Sequence, residues 1–171
     1  MLLYCSGIYY LITATKPDTV GLGLTTSPLG LASYILEKFS TWTHKDGIAD
    51  PRGSLTKKFS MDDLLTNLMV YWINGNIIPS QRYYKENLAS DLMGTLDQIP
   101  IEDVPVGLAA FSQEIFVQPK SFVTPKFRKL LTFSDLDGGH FAAFEEPKQL
   151  FDDIVNFVGK TFDTKGSKSE L

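Results

Sequence analysis

Two residues 26 positions apart carry the chemistry that can be read first: Glu114, in "FSQEIF", and His140, in "DLDGGHFAAFEEP". A carboxylate that accepts a hydrogen bond from an imidazole fixes the ring's tautomer and stabilises the imidazolium formed when the ring takes a proton, which is what a histidine general base requires. Each residue follows an apolar run. "VPVGLAAF" (104–111) precedes Glu114 and "KLLTFSD" (129–135) precedes His140, and each run reads as a buried strand. Parallel pairing through a crossover would put both loops at the carboxyl ends of the strands, where reactive groups of open α/β sheets collect. Spacing leaves Asp135 and Asp137 open as other neighbours of His140. It also leaves open a plain reading in which "DGG" is a turn, His140 is half exposed and Glu114 caps a helix.

The elements that must position these residues fall into two halves. Before residue 97 the chain reads as helices joined by loops. Ser27 and Pro28 start one of them, with Leu31, Ala32, Ile35, Leu36 and Phe39 on an apolar face. Ser60 starts a second, with Asp62 and Asp63 at its positive end and Gly75 closing it. "PSQRYYKENLASDLM" reads as a third, shorter helix, and the polar stretch 43–59 as a loop in which His44 is a solvated surface residue. "EEPKQLFDDIVNFVGKTF" reads as a closing amphipathic helix with Leu150, Phe151, Ile154, Phe157 and Val158 on one face, and 163–171 as a disordered polar tail. The first fifteen residues are uncharged and largely apolar but lack a basic leading region, so they read as a buried strand or loop rather than a targeting segment.

Composition bounds the functions. With 171 residues of which 43% are hydrophobic, the chain can bury one good core. A net charge of −4 without long runs of one sign gives no electrostatic reason to expect nucleic acid or an anionic membrane as partner. The single cysteine, Cys5, excludes an internal disulfide framework and reads as a small buried hydrophobe, and no histidine cluster offers a zinc site.

The stretches "ATKPDTVGLGLTTSPLGLASYILEKFSTWT", "KFSMDDLLTNLMVYWINGNIIPSQRYYKENL", "VPVGLAAFSQEIF" and "GGHFAAFEEP" together resemble the C-terminal part of the microsomal epoxide hydrolases, including the insect juvenile hormone epoxide hydrolases. The resemblance implies an α/β fold, the C-terminal portion of an α/β-hydrolase: residues 1–96 as a helical lid, 97–162 as the last part of the core and 163–171 as a tail. It implies a reaction without metal or cofactor, in which a hydrophobic epoxide and water give a diol through an alkyl-enzyme ester. By the matching motifs His140 is the water-activating base and Glu114 its acid partner. Two lid tyrosines bind the epoxide oxygen and supply a proton: Tyr84, with Tyr83 replacing the usual Phe, and Tyr9, in a "GIYYLIT" segment that departs from the family pattern and leaves Tyr10 or a shifted register open. The family's association with the endoplasmic-reticulum or microsomal membrane runs through an N-terminal anchor that is not seen in these residues.

The family's nucleophile is an aspartate on a strand-to-helix elbow, and no G-x-D-x-G or close variant occurs in the sequence. The expectation is therefore a partial form, inactive on its own, with a non-catalytic chain that binds another polypeptide as the alternative.

Overall fold

The apolar N-terminal stretch forms a helix from its second residue, α1 (Leu2–Thr15), rather than a strand or loop. The Thr13 hydroxyl donates to the Tyr9 and Tyr10 carbonyls and the Thr15 hydroxyl to the Leu11 carbonyl, so the polar groups near its end are satisfied within the helix. The computed structural model describes residues 2–45, 47, 50–89 and 98–166, with the side chains of 2–8, 88–89 and 164–166 left out; Cys5 is therefore placed only by its backbone, in α1. Two compact units divide the chain, Met1–Leu96 and Asp97–Leu171.

In the first unit a helix that the sequence did not announce, α2 (Pro17–Thr25), follows at once, with Pro17 in its first turn. Then come α3 (Pro28–Thr41), a short 3₁₀ turn (Leu55–Lys57), α4 (Met61–Asn74) and α5 (Ile77–Ala89). The expected caps are in place. Ser27 Oγ accepts from the Gly30 N–H and Ser60 Oγ from the Asp63 N–H, both at 3.1 Å. Gly75 closes α4 at φ 59°, a left-handed conformation that costs glycine little. Leu31, Leu68 and Ile77 form a buried cluster that joins α3, α4 and the start of α5. Helices α1 and α2 both pack on α5. Gly21 makes the second contact close: a Cβ there would stand 2.5 Å from Ile78 Cγ1. His44 is half-buried rather than solvated and lines a small cavity of about 150 Å³ with Thr43, Ser54, Lys57 and Lys58.

The second unit holds β1 (Val106–Gln113) and β2 (Leu130–Gly139), paired in parallel and connected past a one-turn helix, α6 (Lys120–Val123). A short α7 (Ala142–Glu145) and then α8 (Pro147–Gly166) complete it, α8 packing on both strands. The closing helix extends to Gly166, so residues 163–166 are helical rather than tail, while 167–171 lie outside the described residues. Only part of its apolar face is covered. Leu150 and Phe157 are half-buried, whereas Phe151, Ile154, Val155, Val158 and Phe162 are exposed.

Candidate active site

The carboxyl ends of the two parallel strands bring Glu114 and His140 together. At the end of β1 the register shifts between Phe111 and Gln113, and the Glu114 N–H turns back to donate to the Phe111 carbonyl at 3.0 Å. At the end of β2, Gly138 adopts φ 133°, which strains any other residue, and a Cβ there would stand 3.0 Å from the Phe111 ring. This explains the first glycine of "GGH". His140 follows directly, its Nδ1 2.7 Å from Glu114 Oε1. Of the carboxylates that spacing left open, Glu114 is the one this contact selects.

Several further contacts hold the pair. The Ile115 N–H donates to the same Glu114 oxygen at 2.6 Å. The His140 ring lies edge-on to Phe141 at 5.2 Å, and the Phe141 N–H donates to the buried Glu145 at 3.2 Å, tying the histidine loop to α7. Partial burial alone would push the Glu114 carboxyl up. The hydrogen bond and charge of His140, together with the Ile115 N–H, outweigh it and hold the carboxyl below its ordinary value. Both side chains keep solvent access, 39% for His140 and 32% for Glu114, so water can reach the imidazole. Glu114 also joins Phe111, Phe116, Val123, Phe127 and Phe133 in lining a largely apolar cavity of about 220 Å³.

In the first unit the tyrosines gather. The Tyr9 ring centroid is 5.9 Å from that of Tyr84, edge-on at 88°, and Tyr10 also meets Tyr84, at 6.1 Å. Tyr84 is half-buried while its neighbour Tyr83 is 68% exposed, so the aromatic pair in "QRYYKEN" is divided between inside and outside. Tyr9 and Tyr84 line a cavity of about 440 Å³ with Ile35, Tyr71, Pro79 and Ser80 among its other walls. Tyr34 of α3, which sequence reasoning missed, stacks 5.5 Å from Tyr9. Burial above all, then the adjacent hydroxyls of Tyr34 and Tyr84, raise the Tyr9 hydroxyl far above its ordinary value. Burial likewise pushes Tyr34 up, to about 12, with the Tyr9 hydroxyl partly opposing the rise. Both are therefore protonated donors near neutral pH.

Among the described residues no three His, Cys, Asp or Glu side chains cluster closely enough to hold a metal ion, and no helix is long and apolar enough to cross a membrane.

No family model matches the sequence. Curated relatives do. Epoxide hydrolase 1 of Oryctolagus cuniculus is 53% identical over 152 residues, covering 88% of this chain and 33% of the relative. Juvenile hormone epoxide hydrolase of Bombyx mori is 43% identical over 167 residues, covering 95% and 36% respectively. The chain thus spans about a third of the length of the curated relatives it matches. The crystal structure of the Bombyx mori enzyme superimposes with a TM-score of 0.88 at 41% identity, over 95% of this chain and 40% of that one. Aspergillus niger epoxide hydrolase gives 0.67 at 29% identity, over 89% and 35%.

Proposed function

Because this chain belongs to the epoxide hydrolase family, as the C-terminal portion of an α/β-hydrolase fold, we propose that it carries the proton-handling groups of an epoxide-opening site. In the whole protein a carboxylate outside these 171 residues attacks an epoxide carbon, and one ring C–O bond breaks. The hydroxyls of Tyr9 and Tyr84 hold the oxygen that is released and give it a proton. The resulting ester is then cleaved by a water whose proton passes to His140, with Glu114 fixing the imidazole tautomer and stabilising the imidazolium. The products are a diol and the free carboxylate, and the proton taken up by His140 returns through solvent to the tyrosinate, so the site is restored and no metal or cofactor enters the balance. The single observation that carries the reading is the 2.7 Å approach of His140 Nδ1 to Glu114 Oε1 at the ends of adjacent parallel strands. The ring contact between Tyr9 and Tyr84 supports the tyrosine assignment, and the apolar lining of the cavity beside Glu114 favours a hydrophobic epoxide.

Two further assignments rest on the family. Residues 1–96 act as the lid and 97–162 as the end of the catalytic core. The whole protein works at the microsomal membrane, as a metaboliser of a terpenoid or xenobiotic epoxide.

Activity decides the proposal. The chain assayed with styrene oxide is expected to form no diol, since its sequence holds no G-x-D-x-G elbow; robust turnover would sink the assignment of the nucleophile to another segment. Exchanging this chain for the matching segment of the Bombyx mori enzyme is expected to restore turnover. In that chimera His140→Gln should lower turnover roughly 10²–10⁴-fold and let the ester intermediate accumulate. Loss of activity without an accumulating ester would remove His140 from the water step.

A second reading, in which the chain acts by docking on another polypeptide, is favoured by the apolar stripe that α8 leaves uncovered.

A further inference from the structure

Along α3, Tyr34 and Lys38 stand four residues apart, and Trp42, the residue that caps the helix, stands four further on. One side of the helix thus presents ring, ammonium and ring in a row. Tyr9 of α1 lies across that row, 5.5 Å from the Tyr34 ring and 5.2 Å from the Trp42 ring. Lys38 Nζ sits inside the group, 4.8 Å from the centroid of Tyr9, 5.6 Å from that of Tyr34 and 5.5 Å from that of Trp42. Its side chain is only 17% exposed.

An ammonium so withdrawn from water needs compensation. Part comes from the Glu37 carboxylate with which it pairs. The remainder comes from the rings, whose faces are the negative ends of their quadrupoles. Packing alone does not call for a cation here, since methionine would fill a similar volume without the desolvation cost.

We infer that Lys38 is a positioning residue: it holds the Tyr9 ring by its face and so fixes the direction of the Tyr9 hydroxyl. The inference rests on the role proposed for Tyr9 and deepens it. Rotation about the Tyr9 Cα–Cβ bond would swing the hydroxyl through several ångströms. A cation held against the ring face resists that rotation, with Tyr34 and Trp42 closing the other sides. Arginine at position 38 keeps a charge that stacks on rings, whereas methionine keeps only the apolar stem.

The test is NMR on the chain labelled with ¹³C in its tyrosine rings and at the lysine ε-carbons, the Tyr9 signals being those lost in Tyr9→Phe. In the unsubstituted chain the ε-methylene protons of Lys38 are expected upfield of those of the other lysines, because they lie among three rings. Lys38→Met should shift and broaden the Tyr9 ring signals and leave those of Tyr71 in place, and Lys38→Arg should restore them. An ordinary position for the Lys38 methylene, or Tyr9 signals unchanged in Lys38→Met, overturns the inference. If Lys38→Met fails to fold, seen as loss of the Tyr71 signals as well, Lys38→Arg decides: retained Tyr9 signals support the role and displaced ones overturn it. Added styrene oxide reads the site itself. Failure to perturb Tyr9 or Tyr84 counts against their assignment and leaves the Lys38 result standing.

Discussion

At the scale of single residues, the Glu114–His140 pair proposed for the water step is also expected to make stability depend on pH. The folded-state value of Glu114 lies below its ordinary value of 4.5, so the unfolded chain takes up the proton first as pH falls. The stabilisation is fully present above the ordinary value and is lost as pH drops from there through the depressed folded-state value. Urea midpoints measured from neutral pH down to the acid range are therefore expected to fall more steeply for the unsubstituted chain than for Glu114→Gln. Two curves that stay parallel through the acid range would show that the pair carries no such coupling. This pair was the most legible part of the site, because a strand-crossover-strand unit constrains which loops become neighbours, and a separation of 26 residues suits that unit. Tyr34 and Lys38 were not legible in that way. Nothing in a single helix announces that a tyrosine from another helix will lie across it, and neither Tyr34 nor Lys38 belongs to the apolar face that the spacing picked out on α3.

At the scale of elements, local signals succeeded where side chains act on their own backbone and failed where a neighbour decides. Ser27, Ser60 and Gly75 sit at helix ends and were readable because capping is a contact within a few residues. Ser60→Ala is expected to cost about 1 kcal/mol, equivalent to a downward shift of the urea midpoint by roughly 0.5 M. An unchanged midpoint would mean that the cap contributes nothing once α4 is packed. Helix α1 was misread because an uncharged apolar run suits a buried strand as well as a buried helix, and periodicity cannot separate them. Helix α2 was missed because Gly21 and Gly23 lower its intrinsic propensity. Packing supplies the reason for the first of these. An alanine at an exposed helical glycine usually gains about 0.5–1 kcal/mol, but the new Cβ at position 21 would meet Ile78 Cγ1 at 2.5 Å and Ile78 Cα at 3.3 Å. A β-branched neighbour near its own backbone cannot swing aside cheaply. Overpacking of about 1–3 kcal/mol then outweighs the propensity gain, so Gly21→Ala is expected to destabilise, as read by thermal unfolding; a raised Tm would show that α2 and α5 separate at little cost.

At the scale of the whole molecule, the question is what covers its apolar surface. The sequence put Phe151, Ile154 and Val158 on one face of the closing helix with Leu150 and Phe157, yet these three are exposed, because two strands are narrower than the stripe the helix presents. Leu150 and Phe157 are held against the sheet, and a second row, Phe151, Ile154, Val155, Val158 and Phe162, recurs at helical spacing on the outside. Phe116 and Phe122 are exposed in the same unit at 70% and 75%. Scattered apolar residues are ordinary on a surface, whereas a row recurring at helical spacing is the feature on which the docking reading rests. Sedimentation velocity is therefore expected to show mass rising with concentration for the unsubstituted chain. The double change Phe151→Glu with Phe162→Glu should suppress that rise while leaving helix content unchanged, since both side chains are mostly in solvent and add charge where burial is slight. The same substitutions should reduce binding of an apolar dye. A chain that stays monomeric across the concentration range and binds no dye would overturn the docking reading. In that case the row would have to be accommodated by the chain itself, without another polypeptide.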